Sequence, residues 1–381
     1  MKSPQKAVEE IFAKAEIEVN GQKPGDIQVH ESDFFPRILR GGSLALGESY
    51  MAGWWDCQAV DQFIYRVLSN NLEQHAAKNK LKMIGPFLRS AFSNPQNPTR
   101  AWEVGRVHYD IGNELFARML GQSMAYSCAY WENADNLDQA QENKLELICR
   151  KLKLQSGMKL LEVGCGWGGL AKHAAQNYGV NVLGVTISKE QAKWNEEMCK
   201  GLPVEILLQD YRDLTKNRNL IERFDRVVSV GMFEHVGHKN YKEFMKINSR
   251  LLKQGGLFLL HTIDKDERGE CDPWIEKYIF PNGEIPTPAQ LMEAAEGLFI
   301  PQDFHRMGQN YDKTLMAWHE NFSNSWKELN QINPVKYDET FKRMWNYYLL
   351  SCAAAFRAGT INVSQTVFSK GTLDKTYNAV R

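Results

Sequence analysis

Leu160-Leu161-Glu162-Val163-Gly164-Cys165-Gly166-Trp167-Gly168-Gly169 runs from an apolar, strand-like segment through closely spaced glycines into a helical pattern that begins near Leu170. Glycine lets the backbone turn sharply and lets a ligand come close to it, while a helix start presents N–H groups that have no partner within the helix. A strand, a glycine turn and a helix in that order predict a nucleoside-binding crevice at the carboxyl edge of a parallel sheet.

The segments on either side agree with that reading. Lys159 to Val163, Val180 to Thr186, Glu205 to Gln209, Arg226 to Val230 and Leu257 to Thr262 read as buried strands that alternate with helical patterns. Such alternation predicts an α/β protein with a Rossmann-like, doubly wound parallel sheet. Gly164, Gly166 and Gly169 also satisfy the dinucleotide spacing, but the acid expected about 20 residues further on is replaced by Thr186 at the end of the second strand. The loop, with Glu162 before it, therefore favours a class I S-adenosylmethionine-dependent methyltransferase over a dinucleotide enzyme. Gly164, Gly166 and Gly168 are candidates to receive the cofactor. Thr186 and Gln191 stand where the ribose hydroxyls are expected, and Gln209, Asp210 and Tyr211 follow the third strand, Asp210 as acceptor for the adenine amino group.

Ahead of this region, apolar residues recur at helical spacing from Val8 to Glu18, a short strand is predicted at Ile27 to Val29, and Glu48 to Ile84 reads as largely helical. Lys78, Lys80, Lys82 and Arg89, set among Met83, Ile84, Phe87 and Phe92, offer either a basic amphipathic surface for anionic lipid or a solvated face. Polar, proline-bearing Ser93 to Thr99 reads as a linker. The predicted organisation is a smaller, mainly helical domain over 1–92, a linker over 93–105 and a catalytic domain over 106–381. Forty-six basic and forty-six acidic residues leave no net field to draw the chain to nucleic acid. Seven scattered cysteines without a CxxC pair suggest free thiols in a reducing cytoplasm, not a metal site. No apolar run reaches the roughly 20 residues that cross a bilayer, and the start has no signal-peptide core.

Read by themselves, Glu234 and His261, placed after the fourth strand and near the end of the fifth, are candidates for acid–base work, while Cys128 reads as a buried thiol. Tyr126-Ser127-Cys128-Ala129-Tyr130-Trp131, the GCGWGG loop, Gly231-Met232-Phe233-Glu234-His235-Val236-Gly237 and His261-Thr262-Ile263 together resemble the cyclopropane fatty acid synthase family. The resemblance covers nearly the whole chain and is closest to the bacterial branch that acts on phospholipid, because the region before Pro95 is present.

The resemblance implies transfer of a methylene group from S-adenosylmethionine to the cis double bond of a phospholipid acyl chain. Bicarbonate is implied as the base, held by Cys128, Glu234, His261, Tyr311 and the backbone of Ile263. Tyr126 and Ser127 are implied at the cofactor, and Cys352 matches a thiol discussed as an active-site group, read here as an apolar pocket residue. Tyr109, Phe116, Tyr278, Phe280, Tyr311, Trp318 and Tyr347 could face a cation, and Met232, Phe233, Phe280, Met316 and Phe356 could line an acyl chain, with core packing the default for each. A homodimer in the cytoplasm, transiently at the inner face of the membrane, is implied as well. The alternatives are an N- or O-methyltransferase of a small molecule, an alkene-acting relative that yields a branched or hydroxylated chain, and a lipid- or partner-binding protein with a degraded cofactor domain.

Overall fold

Ser3 accepts the Lys6 N–H at 3.3 Å and starts helix α1 (Pro4–Ala13), whose Val8 and Phe12 are buried. It ends earlier than its apolar spacing predicts, because Glu16 adopts φ 57°. The computed structural model describes residues 2–72 and 112–381, which divide into two compact units. The first comprises 2–72, Cys271–Pro281 and Asp312–Ile361; the second comprises 112–270, Asn282–Tyr311 and Asn362–Arg381.

In the first unit, strand β1 (Ile27–Val29) pairs antiparallel with β2 (Trp55–Cys57), between helices α2 (Phe34–Met51) and α3 (Val60–Ser69). Helical spacing predicted α-helix through Trp55. The chain instead turns at Gly53 (φ 73°) and supplies β1 with the partner that a three-residue strand needs for its hydrogen bonds. Trp55 is fully buried against Phe63 at 5.3 Å and Tyr50 at 4.9 Å. The Arg343 guanidinium lies 4.2 Å over the Tyr50 ring, donates to Trp55 O at 2.8 Å and pairs with Asp56.

Helices α9 (Pro273–Tyr278) and α12 (Glu339–Ala358), with α11 (Gln309–Ile332) from Asp312 onward, belong to this unit, so the carboxyl-terminal domain expected as one stretch over 106–381 is interrupted twice. The reason is burial. Trp345, Tyr347, Tyr348 and Phe356 make α12 apolar on a broad face that packs on α2 and α3, and Arg357 fastens it to Asp61 and Asp312 at 2.7 and 2.8 Å. The expected linker over 93–105, the basic cluster from Lys78 to Arg89 and Tyr109 lie outside the described residues.

The second unit is built on a seven-stranded sheet. Its strands are β3 (Lys159–Val163), β4 (Asn181–Thr186), β5 (Val204–Leu208), β6 (Phe224–Val230), β7 (Leu252–Asp264), β8 (Ile300–Arg306) and β9 (Asn362–Ser369), in the order β5-β4-β3-β6-β7-β9-β8. β3 to β7 are parallel, matching the five predicted strands to within a few residues, and β9 runs antiparallel to β7 and β8. The order reverses direction on either side of β3, which opens a crevice beyond its carboxyl end.

Side-chain alternation sorts the sheet into two faces. Leu161, Val163, Phe258 and Leu260 pack with α8 (Tyr241–Leu251) and α10 (Pro288–Ala295). Leu160, Val228, Leu257 and Leu259 pack with α5 (Leu137–Lys151) and α6 (Gly169–Tyr178). Glu162 and His261 continue the second set, so both point toward the α5 side. Helices α4 (Asn113–Met119) and α7 (Lys189–Met198) complete the unit. Among the described residues no helix is long and apolar enough to cross a membrane.

Candidate active site

The glycine turn is held by conformations that a side chain would oppose. Gly164, Gly166 and Gly168 have φ of 84°, 51° and 89°. A Cβ on Gly164 would meet Met232, one on Gly168 would meet Asn195, and one on Gly166 would enter open space. That space is where a nucleoside could lie against bare backbone. Met232 therefore closes down on the turn, and Phe233, stacked on Tyr241 at 4.3 Å, is core.

Glu162 sits beneath the turn. Its carboxylate accepts the Ala171 N–H in the first turn of α6, its Oε2 has no partner among the described residues, and burial raises the carboxyl to about 8 against the pull of Lys144. It thereby fixes the start of the helix that follows the glycine turn.

At the end of β4, Thr186 Oγ1 donates to Gln191 Oε1 at 2.9 Å and accepts from Ser188 N at 3.1 Å, so the two expected ribose residues are joined to each other. Gln209 N–H bonds Thr186 O at 2.9 Å, which brings the ends of β4 and β5 together. Both oxygens of Asp210 are bonded to Arg212, at 2.6 to 2.9 Å, so an adenine amino group would share them. Tyr211 packs its ring on Phe244 at 5.3 Å and belongs to the core on that side.

Residues 123–128 cross the crevice as a strap. A Cβ on Gly169 would run into Ser123 O, and one on Gly231, the residue after β6, would lie 3.7 Å from Ser127 Cβ and 4.0 Å from Tyr126 O. The strap therefore reaches from the start of α6 to the end of β6. Tyr126 sets its ring edge-on to Phe116 at 5.2 Å, and Phe116 contacts Trp167 at 4.9 Å, so these aromatic rings back the glycine loop. Cys128 is fully buried, its Sγ donating to Ala129 O at 3.2 Å.

Helix α5 holds the strap. Gln141 Nε2 donates to Ala125 O at 3.2 Å and Ser127 O at 3.0 Å, Lys144 Nζ donates to Ser127 Oγ at 3.0 Å, Tyr130 N–H bonds Ala140 O at 2.9 Å, and Asn143 Nδ2 bonds Glu132 O at 2.8 Å. Trp131 N–H is taken by Asn310 Oδ1 at 2.8 Å, which ties the start of α11, and hence Tyr311, to the same segment.

Glu234, in a single 3₁₀ turn after β6, accepts the Ile263 N–H on Oε1 at 2.7 Å. Its Oε2 is out of contact with solvent and has no partner among the described residues; burial raises the carboxyl to about 7. The Ile263 N–H is thus committed to Glu234. His261, 1% exposed, lies two residues earlier on β7. Gln365 Nε2, paired opposite on β9, is 3.2 Å from its Nδ1. With that amide donating, the imidazole carries its proton on Nε2, which has no partner among the described residues. Burial, aided by Lys144, Lys151 and His305, lowers His261 to about 3 and keeps the ring neutral.

Cys352 belongs to the first unit, on α12; burial, reinforced by Asp272 and Cys271, raises its thiol, which stays protonated. Tyr278, Phe280, Met316, Trp318, Tyr347 and Phe356 belong to that unit too, with Tyr347 against Trp274 at 4.7 Å and Phe280 edge-on to Tyr348 at 5.8 Å.

Sequence reasoning missed Gln141, Lys144, Arg212, Asn310 and Gln365. A signal existed for two of them: Leu137, Gln141, Lys144, Ile148 and Lys151 follow one another at helical spacing of four and three. Polar residues on an otherwise apolar stripe of a helix need buried partners.

The sheet order, the glycine turn and the crevice define a class I S-adenosylmethionine-dependent methyltransferase. Residues 96–366 match the family model described as mycolic acid cyclopropane synthetase, and the chain belongs to that family. It is 52% identical to the cyclopropane-fatty-acyl-phospholipid synthase of Escherichia coli strain K12 over 366 residues, covering 95% of this chain and 92% of the relative. The cyclopropane synthase MmaA2 from Mycobacterium tuberculosis superposes with a TM-score of 0.64 at 32% identity, over 71% of this chain and 98% of that one. The mycolic acid cyclopropane synthase CmaA1 in complex with SAH and CTAB gives 0.63 at 33% identity, with the same coverage.

Proposed function

We propose that the chain transfers a methylene group from S-adenosylmethionine to the cis double bond of an unsaturated phospholipid acyl chain, leaving a cyclopropane ring and S-adenosylhomocysteine. The 52% identity to a cyclopropane-fatty-acyl-phospholipid synthase over nearly the whole of both chains supports the substrate class. The single observation that carries the chemistry is the two buried groups at the carboxyl ends of β6 and β7, Glu234 Oε2 and His261 Nε2, which have no partner among the described residues.

S-adenosylmethionine supplies an electrophilic methyl group on a sulfonium. The alkene forms a bond to that carbon as the carbon–sulfur bond breaks, which leaves a cation on the acyl chain. Loss of a proton from the transferred carbon then lets the second ring bond close. The site must therefore exclude water, which would capture the cation, and it must direct a base.

Glu234 and His261 fit bicarbonate in hydrogen-bond character. One offers an acceptor for a hydroxyl proton and the other a donor for an oxygen, and leaving either unpaired while buried is costly, by about 1–3 kcal/mol for a neutral group. Cys128 and Tyr311 complete the proposed set, with Ile263 positioning Glu234 through its N–H. Bicarbonate held there supplies the base. Gly164, Gly166 and Gly168 receive the nucleoside, and Tyr126 and Ser127 close over it from the strap.

Incubation with vesicles of unsaturated phospholipid and S-adenosylmethionine, with and without bicarbonate, followed by mass and proton NMR analysis, tests the reading. A bicarbonate-dependent cyclopropane signal is expected. Unmodified lipid with S-adenosylmethionine still bound would turn the reading toward an N- or O-methyltransferase. A homodimer that visits the cytoplasmic membrane face, strengthened by avidity, belongs to the same proposal; full activity per subunit on dilution to monomers would refute the need for the dimer.

A further inference from the structure

Lys144 is fully enclosed in the protein, 1% exposed, and the chemistry above makes no use of it. A lysine in that position is costly unless its charge has a purpose and partners. It lies on the sheet-facing stripe of α5, one turn beyond Gln141, and both residues bind the strap: Gln141 through two carbonyls, Lys144 through the Ser127 hydroxyl. From above the sheet, Cys128 is within its electrostatic reach; from β3, Glu162; from β7, His261. Glu162 in turn faces Cys149 on α5, Cys165 in the loop and Cys199 at the end of α7, all buried thiols.

Two features that bound the crevice thus share one buried base and one buried acid. Glu162 caps α6, the helix that follows the glycine turn, while Lys144 holds Ser127, and with it the strap. We propose that Lys144 is a positioning residue: bonded to the Ser127 hydroxyl, it fastens Ser127–Cys128 over the glycine turn and fixes the strap against the cofactor. The inference rests on the reading that the cofactor lies between turn and strap, but not on the identity of the methyl acceptor.

Burial lowers Lys144 and raises Glu162, each toward about 8, so the pair exchanges protons with solvent at mildly alkaline pH. S-adenosylhomocysteine binding, followed by calorimetry from pH 7 to 9 in buffers of different ionisation enthalpy, reads that exchange without any turnover. In the unaltered enzyme, binding is expected to be linked to proton exchange in this range. K144M should abolish the linkage and weaken binding by about tenfold, the size of a shift of one pH unit in the coupled group. C128S should keep the linkage.

In a double-mutant cycle at pH 9, where the buried carboxyl left behind is driven to ionise, K144M/E162Q should recover most of the affinity and thermal stability lost in K144M. Should K144M fail to fold, S127A removes the acceptor with Lys144 in place and is expected to weaken S-adenosylhomocysteine binding by about threefold. An unchanged linkage in K144M, additive losses in the cycle, or unaltered binding by S127A would each overturn the proposal. An enzyme that binds the cofactor with this linkage but leaves vesicle lipid unmodified would instead overturn only the proposed substrate.

Discussion

Replacing Glu234 by Gln separates two roles that one carboxylate combines. Oε1 accepts the Ile263 N–H at 2.7 Å, a bond that an amide oxygen can keep, whereas Oε2, buried without a partner among the described residues, would become an NH₂ donor. The acceptor proposed to orient the base is lost, and kcat should fall by about 10²- to 10³-fold, within the range for misdirected acid–base catalysis. S-adenosylhomocysteine affinity should stay within about twofold, since the glycine turn and strap are untouched.

Stability should move the other way. The carboxyl is raised from 4.5 to about 7, so its ionised form costs the folded state about 3 kcal/mol, at 1.36 kcal/mol per pH unit. A raised carboxyl is neutral in both states below pH 4.5; its cost grows as pH rises through 4.5 to 7 and is complete above. E234Q without ligand should therefore melt higher than the parent at pH 8 and equally at pH 4.5. Paired measurements of ring formation on vesicles, calorimetric cofactor binding and melting at the two pH values test all three parts. Cofactor affinity lost in step with kcat would refute the division of roles, and an unraised melting point at pH 8 would refute the account of burial.

At saturating cofactor, ring formation should rise with pH through about 7 as Glu234 ionises, with no limb from His261 between pH 5 and 9, because that ring is lowered to about 3 and stays neutral there; a pH–rate profile that keeps its limb in E234Q would assign it elsewhere. G166V should lose S-adenosylhomocysteine affinity by at least about 100-fold, as the side chain fills the open space above a residue at φ 51°, and calorimetry against circular dichroism distinguishes this from misfolding. C352S should keep kcat within about threefold, because a thiol held protonated by burial supplies no nucleophile; a loss beyond about tenfold would return Cys352 to the chemistry.

Sequence alone determined the parallel core and the cofactor edge. Strands buried on both faces are largely apolar, and a turn that bears a nucleoside on its backbone favours glycine, so β3, β4, the Leu257 to Thr262 part of β7 and Gly164 to Gly168 are written locally. The motif around Glu234 and the pair His261 and Ile263 were legible for the same reason, each lying at the end of a recognisable strand.

Only the tertiary structure decided what depends on distant partners. β9 enters the sheet between β7 and β8 and brings Gln365 to His261 across 104 positions, and no local periodicity encodes such a pairing. The same holds for α12, whose apolar face finds α2 and α3, and for Arg212, which takes up Asp210. Lys144 shows the limit most clearly. Its place on an apolar stripe announces that it is buried, but its burial partners come from the strap, from β3 and from β7. A charge becomes functional through what surrounds it, and here the surroundings are assembled only when the chain has folded.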